Sequence, residues 1–234
     1  MKAATLAGAP GAGKTSILLA LARLLLSDRK AVAAVKFDAL ATADDRLLAE
    51  RLGIPALKGL GGYVCPDHYY VSNLEQAWAF GVEAGADFLF IETAGLCCRC
   101  APHLEGIPAL GVVSNLSGLD APAKVGPAIL DADILIITGS DLVSQAEKEV
   151  FAHNLSLANP RASVVHVHGP TGRGTLALKR LAAEWPEIPP EAGLTGRALR
   201  CSLPAAVCSY CMGETRVGRA FQSGNVKRLA GEAR

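Results

Sequence analysis

The sequence predicts an α/β fold in which a mostly parallel sheet is flanked by helices. Short β-rich runs alternate with helical patterns over the first 185 residues of the 234-residue chain. A glycine-rich motif follows the first of these runs and precedes the first helical pattern. Half of the residues are hydrophobic, which is enough for a sizeable core. Such alternation favours right-handed β-α-β units, whose parallel strands are covered by helices on both faces.

Six runs of apolar and β-branched residues predict buried strands, at residues 3–7, 31–36, 88–92, 110–114, 134–138 and 164–168. Five helical patterns predict helices, at residues 15–27, 42–52, 74–84, 144–159 and 175–185. The pair Asn159-Pro160 ends the fourth helix, and glycines between residues 169 and 174 predict a turn before the fifth.

The composition changes after residue 185. Prolines, glycines and three of the seven cysteines fall in a segment with little periodicity. We therefore predict a main domain at residues 1–185 and an appendage at residues 186–234, which needs a ligand or a partner to become ordered.

Charge and hydropathy exclude several classes of protein. The 23 basic and 22 acidic side chains give no electrostatic case for binding nucleic acid or an anionic membrane surface. The longest apolar stretch, at residues 17–26, contains Arg23 and is too short to be inserted across a membrane. The first residues fit a strand better than a cleaved signal peptide, so we expect a cytoplasmic protein. Reducing conditions and the odd number of cysteines then favour metal ligation over disulfides.

The glycine-rich motif has the form G-x-x-x-x-G-K-T and predicts a phosphate-binding loop. Its glycines let backbone N–H groups close around phosphates, Lys14 reaches the β- and γ-phosphates, and the Thr15 hydroxyl binds Mg²⁺. The candidate nucleotide-binding residues of the motif are Gly8, Ala9, Pro10, Gly11, Ala12, Gly13, Lys14, Thr15 and Ser16.

Acidic residues follow two of the predicted strands. Glu92 begins an E-x-x-G motif that ends at Gly95, and a carboxylate at this end of a parallel strand lies near Mg²⁺ and the attacking water. The N–H of Gly95 is expected to approach the γ-phosphate, so that the segment after it senses hydrolysis. Asp38 is placed to act on Mg²⁺ or water, and Asp44 lies in a candidate switch segment. Either aspartate could instead cap the helix at 42–52, and Glu92 could simply end a strand.

Thiols and an imidazole cluster around these motifs. Cys65 and His68 lie in a predicted glycine-rich loop at 61–68, while Cys97, Cys98 and Cys100 closely follow Gly95. These ligands suit Zn²⁺ or Ni²⁺, and the thiolates also suit an Fe–S cluster. A structural zinc is the simpler alternative. However, a permanent metal would resist motion of a switch, so we favour regulated metal binding.

The remaining histidines and cysteines allow several interpretations. Cys201, Cys208 and Cys211 form a C-x-x-C pair with one further thiol, which fits a docking site, a metal-transfer relay or a small structural zinc. His103 is predicted to be a surface residue, with an additional metal ligand as the less favoured alternative. Residues 166 and 168 are both histidines and are expected to point to opposite faces of a strand.

The order of these motifs over residues 3–185 resembles the nickel-insertion GTPases of hydrogenase and urease maturation, which are P-loop NTPases of the SIMIBI class. Asp38 and Asp44 match the spacing of that family's switch. Residues 61–68 resemble its Cys-His metal loop, and residues 92–102 resemble its E-x-x-G segment followed by cysteine and proline. Residues 132–142 stand where its guanine-reading Asn-Lys-x-Asp-Leu motif belongs.

Two departures indicate a divergent member. Thr138-Gly139-Ser140-Asp141 lacks the asparagine and lysine of the guanine motif, although Asp141 can still accept hydrogen bonds from guanine. GTP is therefore expected, with ATP as the alternative. The thiols of residues 97–100 and of the appendage exceed the family pattern and suggest another client enzyme, and with it another metal.

The resemblance implies a nucleotide-hydrolysing metallochaperone that delivers a transition metal, nickel first of all, to a client metalloenzyme or its maturation factors. Lys14, Thr15, Asp38 and Glu92 are the implied catalytic residues, and a nucleotide-dependent homodimer is the implied assembly. The alternatives are an ATP-driven reductase or activator that holds an Fe–S cluster between subunits and, last, a small-molecule kinase with a structural zinc.

Overall fold

In the part of the chain that the structure describes, seven parallel strands form one sheet in the order β3-β2-β4-β1-β5-β6-β7. The computed structural model describes residues 1–93, 95, 97, 100, 102–200, 214–222 and 225–229. The strands are β1 (Lys2–Ala7), β2 (Val32–Asp38), β3 (Ala56–Leu60), β4 (Phe88–Thr93), β5 (Ala109–Ser114), β6 (Ile134–Thr138) and β7 (Ser163–His166). The predicted α/β class with a mostly parallel sheet is confirmed.

Helices cover both faces of this sheet. They are α1 (Lys14–Ser27), α2 (Asp44–Leu52), α3 (Pro66–Ser72), α4 (Leu74–Glu83), α5 (Ala121–Lys124), α6 (Pro127–Leu130), α7 (Gln145–Ala158) and α8 (Thr175–Ala183). Helices α1, α2 and α8 pack on one face, and α3 to α7 pack on the other. Consecutive strand residues point to opposite faces. Phe90 packs in the apolar cluster under α1, α2 and α8, and Ile91 packs in the cluster under α3 and α4.

Strands and helices occur at all eleven predicted places. Four further strands and α-helices of the described residues were missed, namely β3, α3 and the two four-residue helices α5 and α6. β3 is a short edge strand that contains Lys58 and Gly59 and pairs only with β2, so its apolar pattern is weak. α3 lies within and beyond the segment that we predicted to be a loop at 61–68. It begins at Pro66, whose fixed φ suits the first turn of a helix.

The described part of the C-terminal segment packs against the main domain. Ile188, Leu194, Leu199 and Val217 are buried in the same apolar cluster as the residues of α3 and α4. Backbone hydrogen bonds tie the segment to itself, from Leu199 N to the carbonyl at position 215 at 2.9 Å, and to the chain's first residue. The predicted boundary at residue 185 stays a prediction, and Cys201, Cys208 and Cys211 lie outside the described residues.

No helix in the described ranges is long and apolar enough to cross a membrane.

Candidate functional site

The phosphate-binding loop connects β1 to α1 in a backbone conformation that needs glycine. A Cβ atom on Gly8 would lie 2.2 Å from the carbonyl oxygen of Val112, and Gly13 has a φ of +96° directly before α1. The first N–H groups of the 14-residue helix α1 therefore face the loop, which is the arrangement that binds phosphate at a helix N-terminus.

Lys14, the first residue of α1, is buried within this loop. Its Nζ donates hydrogen bonds to the carbonyls of Gly8 at 2.7 Å and Ala9 at 3.2 Å, and lies 4.0 Å from Oε1 of Glu92. Burial lowers the pKa of Lys14 from its usual value, and the nearby Glu92 carboxylate opposes this shift only in part. The ammonium group therefore lies where an additional anion would stabilise its charge.

A cleft with a volume of about 470 Å³ opens beside the loop. It brings together the four predicted catalytic residues with Asp44 and one lysine that the sequence analysis did not consider. These six lining residues are Lys14, Thr15, Lys36, Asp38, Asp44 and Glu92. Because β1, β2 and β4 are neighbours and parallel, their carboxyl ends meet at this edge of the sheet.

Lys36 is one of the functional candidates that sequence reasoning missed. It is opposite Glu92 in the register of β2 and β4, and its buried Nζ contacts Oε1 of Glu92 directly and Oδ2 of Asp44 at 2.8 Å. A single lysine between the apolar residues Val35 and Phe37 of β2 was the available signal, since a buried lysine requires partners.

The pKa values of Glu92 and Asp44 shift in opposite directions. Burial raises the pKa of Glu92, although Lys36 and Lys14 oppose the shift. Burial also acts on Asp44, but hydrogen bonds from Lys36 and from the hydroxyls of Thr15 and Thr42 outweigh it and lower its pKa. Oε2 of Glu92 is buried and has no hydrogen-bond partner among the described residues. The cleft thus contains a carboxylate oxygen that can accept a cation.

The two aspartates of the predicted switch have separate positions. Asp38 ends β2, and its Oδ1 accepts the N–H of Ala39 at 2.7 Å while the side chain lines the cleft. Asp44 is the first residue of α2, with Ala43 at the cap position, so it does not cap the helix by a side-chain hydrogen bond. Its ion pair with Lys36 instead joins α2 to the floor of the cleft.

The predicted metal ligands in the described residues meet around α3 in two pairs. Cys65 precedes α3, and its thiol hydrogen-bonds with Cys97; this contact and burial raise the pKa of Cys65. His68 is buried in α3, with Nδ1 3.8 Å from the Sγ atom of Cys100. Nδ1 is also 3.6 Å from Oε1 of Glu214, a neighbour from the C-terminal segment that sequence reasoning missed. We call Cys65, His68, Cys97 and Cys100 the thiol–imidazole cluster.

Within the residues that the structure describes, no three Cys, His, Asp or Glu side chains are arranged so that they could hold a metal ion. Cys98 and the cysteines at 201, 208 and 211 lie outside those residues. The cluster is therefore two adjacent pairs of soft ligands, and the predicted metal-binding role of each residue stays a prediction.

A second cleft, of about 750 Å³, lies where the guanine-reading motif was expected. Oδ2 of Asp141 is 3.3 Å from Nε2 of His168, and the Ser140 hydroxyl is 3.0 Å from Nδ1 of His166. Thr138 donates its hydroxyl hydrogen to the carbonyl of Ala12 at 2.7 Å and so supports the phosphate-binding loop from below. The expectation that the two histidines point to opposite faces is wrong. Residues two apart along a strand share a face, and although β7 already ends at His166, both side chains line this cleft.

His103 is not a surface residue, so that expectation is wrong. It is fully buried, its Nδ1 is 2.8 Å from the Thr5 hydroxyl, and its Nε2 is 3.4 Å from the Ala128 carbonyl. Burial lowers the pKa of His103 from 6.5 to about 4; the positive charge of Arg200 contributes, while the Ala128 carbonyl and Asp133 oppose the shift. His103 is thus a core histidine held neutral.

We expect the free energy of unfolding to decrease as the pH falls, because the pKa of His103 is lowered in the folded protein. The unfolded chain binds a proton at this histidine near its ordinary pKa and the folded chain does not, so the stabilisation is complete above pH 6.5 and is lost between there and pH 4. Between about pH 7 and pH 5 the loss amounts to roughly 2 kcal/mol. Urea unfolding of wild type and His103→Gln at both pH values measures it. An equal pH-dependent loss in the variant would contradict the assignment.

The fold and the cleft define a P-loop nucleotide-binding protein. Residues 2–166 match the sequence profile of the CobW/HypB/UreG nucleotide-binding domain, and the chain therefore belongs to this family. The resemblance inferred from the order of the motifs is confirmed.

Relatives show how distant the characterised members are. The chain is 40% identical over 231 residues to an uncharacterized protein of Methanocaldococcus jannaschii, covering 99% of this chain and 97% of that one. It is 28% identical over 172 residues to the hydrogenase maturation factor HypB of Azotobacter vinelandii, covering 72% of this chain but only 55% of the relative.

Among solved structures, HypB of Archaeoglobus fulgidus superposes with a TM-score of 0.62 at 22% identity, covering 78% of this chain and 89% of that one. HypB of Helicobacter pylori, solved in complex with nickel, superposes with a TM-score of 0.60 at 21% identity, covering 79% and 86%. At these identities the structures support the fold.

Proposed function

We propose that this protein hydrolyses a nucleoside triphosphate, GTP in preference to ATP, and uses hydrolysis to deliver a transition metal to a client metalloenzyme. Nickel is the first candidate, because relatives of the family are named as hydrogenase maturation factors and one was solved with nickel. The observation that carries the proposal is the position of β4. Its end supplies Glu92 to the nucleotide cleft, and the residues directly after it supply Cys97 and Cys100 to the thiol–imidazole cluster.

The cleft suits a magnesium nucleotide by the chemistry of its donors. Mg²⁺ prefers oxygen ligands, and Thr15, Asp38 and Glu92 present a hydroxyl and two carboxylates to the same space. The bound ion would neutralise charge on the phosphates. Lys14 would exchange its hydrogen bonds to loop carbonyls for contacts with the β- and γ-phosphates, while Glu92 and Asp38 would orient Mg²⁺ or the attacking water.

Base recognition is assigned to the second cleft. Asp141 is exposed enough to receive a ligand and offers a carboxylate that can accept the two N–H groups of a guanine edge. Adenine has no matching pair of donors on its corresponding edge, so Asp141 favours GTP. A competition assay between GTP and ATP tests this preference.

Metal binding is assigned to the thiol–imidazole cluster, which supplies soft ligands suited to Ni²⁺ or Zn²⁺. Each described pair leaves coordination positions open. We propose that Cys98, Cys201, Cys208, Cys211 or a second subunit complete the site. A homodimer that forms across the nucleotide would bring two such clusters together, and the client enzyme or a maturation factor would take the released metal.

An anaerobic titration of reduced protein with Ni²⁺, with Zn²⁺ as competitor, tests the proposal in a Mg-GTP analogue and in Mg-GDP. We expect the Ni²⁺ affinity to differ between the two states by about 5- to 150-fold, the usual range of coupling between sites. A difference in stoichiometry would support the proposal as well. Identical binding in both states would contradict the chaperone function. A brown protein that binds iron would favour the Fe–S alternative.

Replacement of Cys65 by alanine is expected to abolish the nucleotide-dependent part of metal binding and to leave nucleotide affinity nearly unchanged. Cys65 supplies one thiol of the Cys65–Cys97 pair but is not among the residues that line the nucleotide cleft. Tyr63→Phe is the matched control, because it alters an exposed side chain of the same segment and keeps every thiol. Equal metal binding by the Cys65 variant would exclude this site assignment.

A further inference from the structure

Asp67 joins the segment before α3 to the residues that follow β4. It lies between Cys65 and His68 in the sequence and is the second residue of α3. Its side chain is buried. Oδ1 accepts the N–H of Gly95 at 2.9 Å and the hydroxyl of Thr93 at 3.2 Å, and Oδ2 accepts the N–H of Cys97 at 2.9 Å. Among the described residues, one buried carboxylate thus accepts hydrogen bonds from three donors at positions 93, 95 and 97, and such bonds are of the charge-assisted kind.

The residues that Asp67 holds also touch the base of the phosphate-binding loop. Gly95 has a φ of +64°, and a Cβ atom built on it would lie 2.6 Å from the Cβ atom of Ala7. Ala7 is the last residue of β1 and immediately precedes Gly8. The backbone at Gly95 therefore packs directly beneath the loop that binds phosphate, and it cannot shift there without changing this contact.

On its other side, Asp67 determines where the Cys97 thiol lies. Cys65 immediately precedes α3, and the two thiols of Cys65 and Cys97 are in contact. Because the N–H of Cys97 donates to Oδ2 of Asp67, the same carboxylate fixes the backbone of Cys97 next to the start of α3. Loss of that hydrogen bond would weaken the hold on the Cys97 backbone beside Cys65.

The N–H of Gly95 can serve only one strong acceptor at a time. In the described arrangement its acceptor is Asp67, and for the proposed hydrolysis its acceptor would be the γ-phosphate. The two arrangements are therefore alternatives. In the first, Asp67 retains Gly95 and Cys97 together; in the second, the carboxylate loses one donor and its hold on the segment weakens.

We propose that Asp67 is the positioning residue that transmits the nucleotide state to the thiols, by competing with the γ-phosphate for the N–H of Gly95. This inference rests on the proposed function, since it assigns the regulation of the same metal site. It predicts that the spacing of Cys65 and Cys97, and with it the metal affinity, changes whenever Gly95 changes its acceptor.

The test variant is Asp67→Asn, which keeps the shape of the side chain and removes one acceptor. Whichever way the amide is oriented, either Gly95 or Cys97 then faces an NH₂ group that cannot accept. Asp133→Asn is the matched control, because Asp133 also accepts a backbone N–H, from Ala109 at 2.9 Å, and its other recorded partner is Arg200 and not one of the described thiols. Thr93→Val removes only one of the described donors to Asp67 and guards against a folding defect in the main variant.

Two readouts are compared in a Mg-GTP analogue and in Mg-GDP. The first is hydrogen exchange of the peptide that covers residues 93–97. Measured without any metal, it reports how strongly Asp67 protects the N–H groups that donate to it. The second is Ni²⁺ titration, which reports the coupling between the nucleotide state and the metal affinity. We expect nucleotide-dependent exchange and a nucleotide-dependent Ni²⁺ affinity in wild type and in Asp133→Asn. Asp67→Asn should bring both ratios to about one, with Thr93→Val in between.

The two proposals fail in different ways. If wild type shows no difference in Ni²⁺ affinity, the chaperone function fails, and the exchange data alone then judge Asp67. If Asp67→Asn retains the wild-type dependence of exchange on the nucleotide, the role of Asp67 is overturned whatever the metal does. If exchange loses its dependence but the Ni²⁺ affinity ratio is unchanged, transmission to the thiols by Asp67 is likewise overturned.

Discussion

Replacement of Lys14 by alanine is expected to reduce nucleotide hydrolysis by about 10²- to 10³-fold, the usual cost of removing one preorganised electrostatic group. Burial already lowers the pKa of this ammonium group, and the loop carbonyls and the carboxylates of Glu92, Asp38 and Asp44 oppose that cost only in part. The phosphates of a nucleotide would supply the missing negative charge. Without Lys14, the developing charge on the γ-phosphate has no comparable partner in the loop.

Steady-state phosphate release in Mg-GTP and in Mg-ATP measures the effect. Lys2→Ala is the matched control, because Lys2 also donates to a backbone carbonyl, that of Ala183 at 2.6 Å, but lies at the other end of β1. Hydrolysis by Lys2→Ala should equal that of wild type. Hydrolysis by Lys14→Ala within a few-fold of wild type would contradict the assignment of the cleft.

The second large effect concerns stability. Lys36→Met is expected to lower the free energy of unfolding by about 3 kcal/mol, because it leaves the buried carboxylate of Glu92 without its closest cation. Burial raises the pKa of Glu92 even with Lys36 present, so the variant should bind a proton at this carboxyl more readily. Urea unfolding at neutral pH measures the loss.

Two further variants separate the ion pair from general damage. Adding Glu92→Gln to Lys36→Met removes the uncompensated charge and should recover a large part of the lost stability. Lys58→Met is the matched control, since Lys58 pairs with Asp45 of the same helix α2 but is 41% exposed. Its cost should be about 0–1 kcal/mol. Equal losses for Lys36→Met and Lys58→Met would show that burial does not strengthen the former pair.

The nucleotide cleft was the part of the site that sequence patterns predicted best. The phosphate-binding loop is a contiguous motif whose function depends on local backbone geometry, so Gly8 to Thr15 could be recognised without any tertiary contact. The positions of Asp38 and Glu92 followed from a general property of parallel sheets, namely that strand ends meet at one edge. Their catalytic roles are still predictions.

The contacts that connect the site could not be read from the sequence. Lys36 and Glu92 are 56 residues apart and meet only because β2 and β4 pair in one register. Asp67 could not be recognised from the sequence, since nothing in the local pattern shows that its carboxylate accepts backbone N–H groups 28 and 30 residues away.

The sequence by itself determined the class of the sheet, the phosphate-binding loop and the family, because alternation of elements and a short glycine motif are encoded in neighbouring residues. Only the tertiary structure decided that His103 is a core residue, that Lys36 pairs with Glu92, and that Asp67 links the thiols to Gly95. The physical reason is that a buried polar side chain needs partners, and strand register and helix packing select those partners from distant parts of the chain.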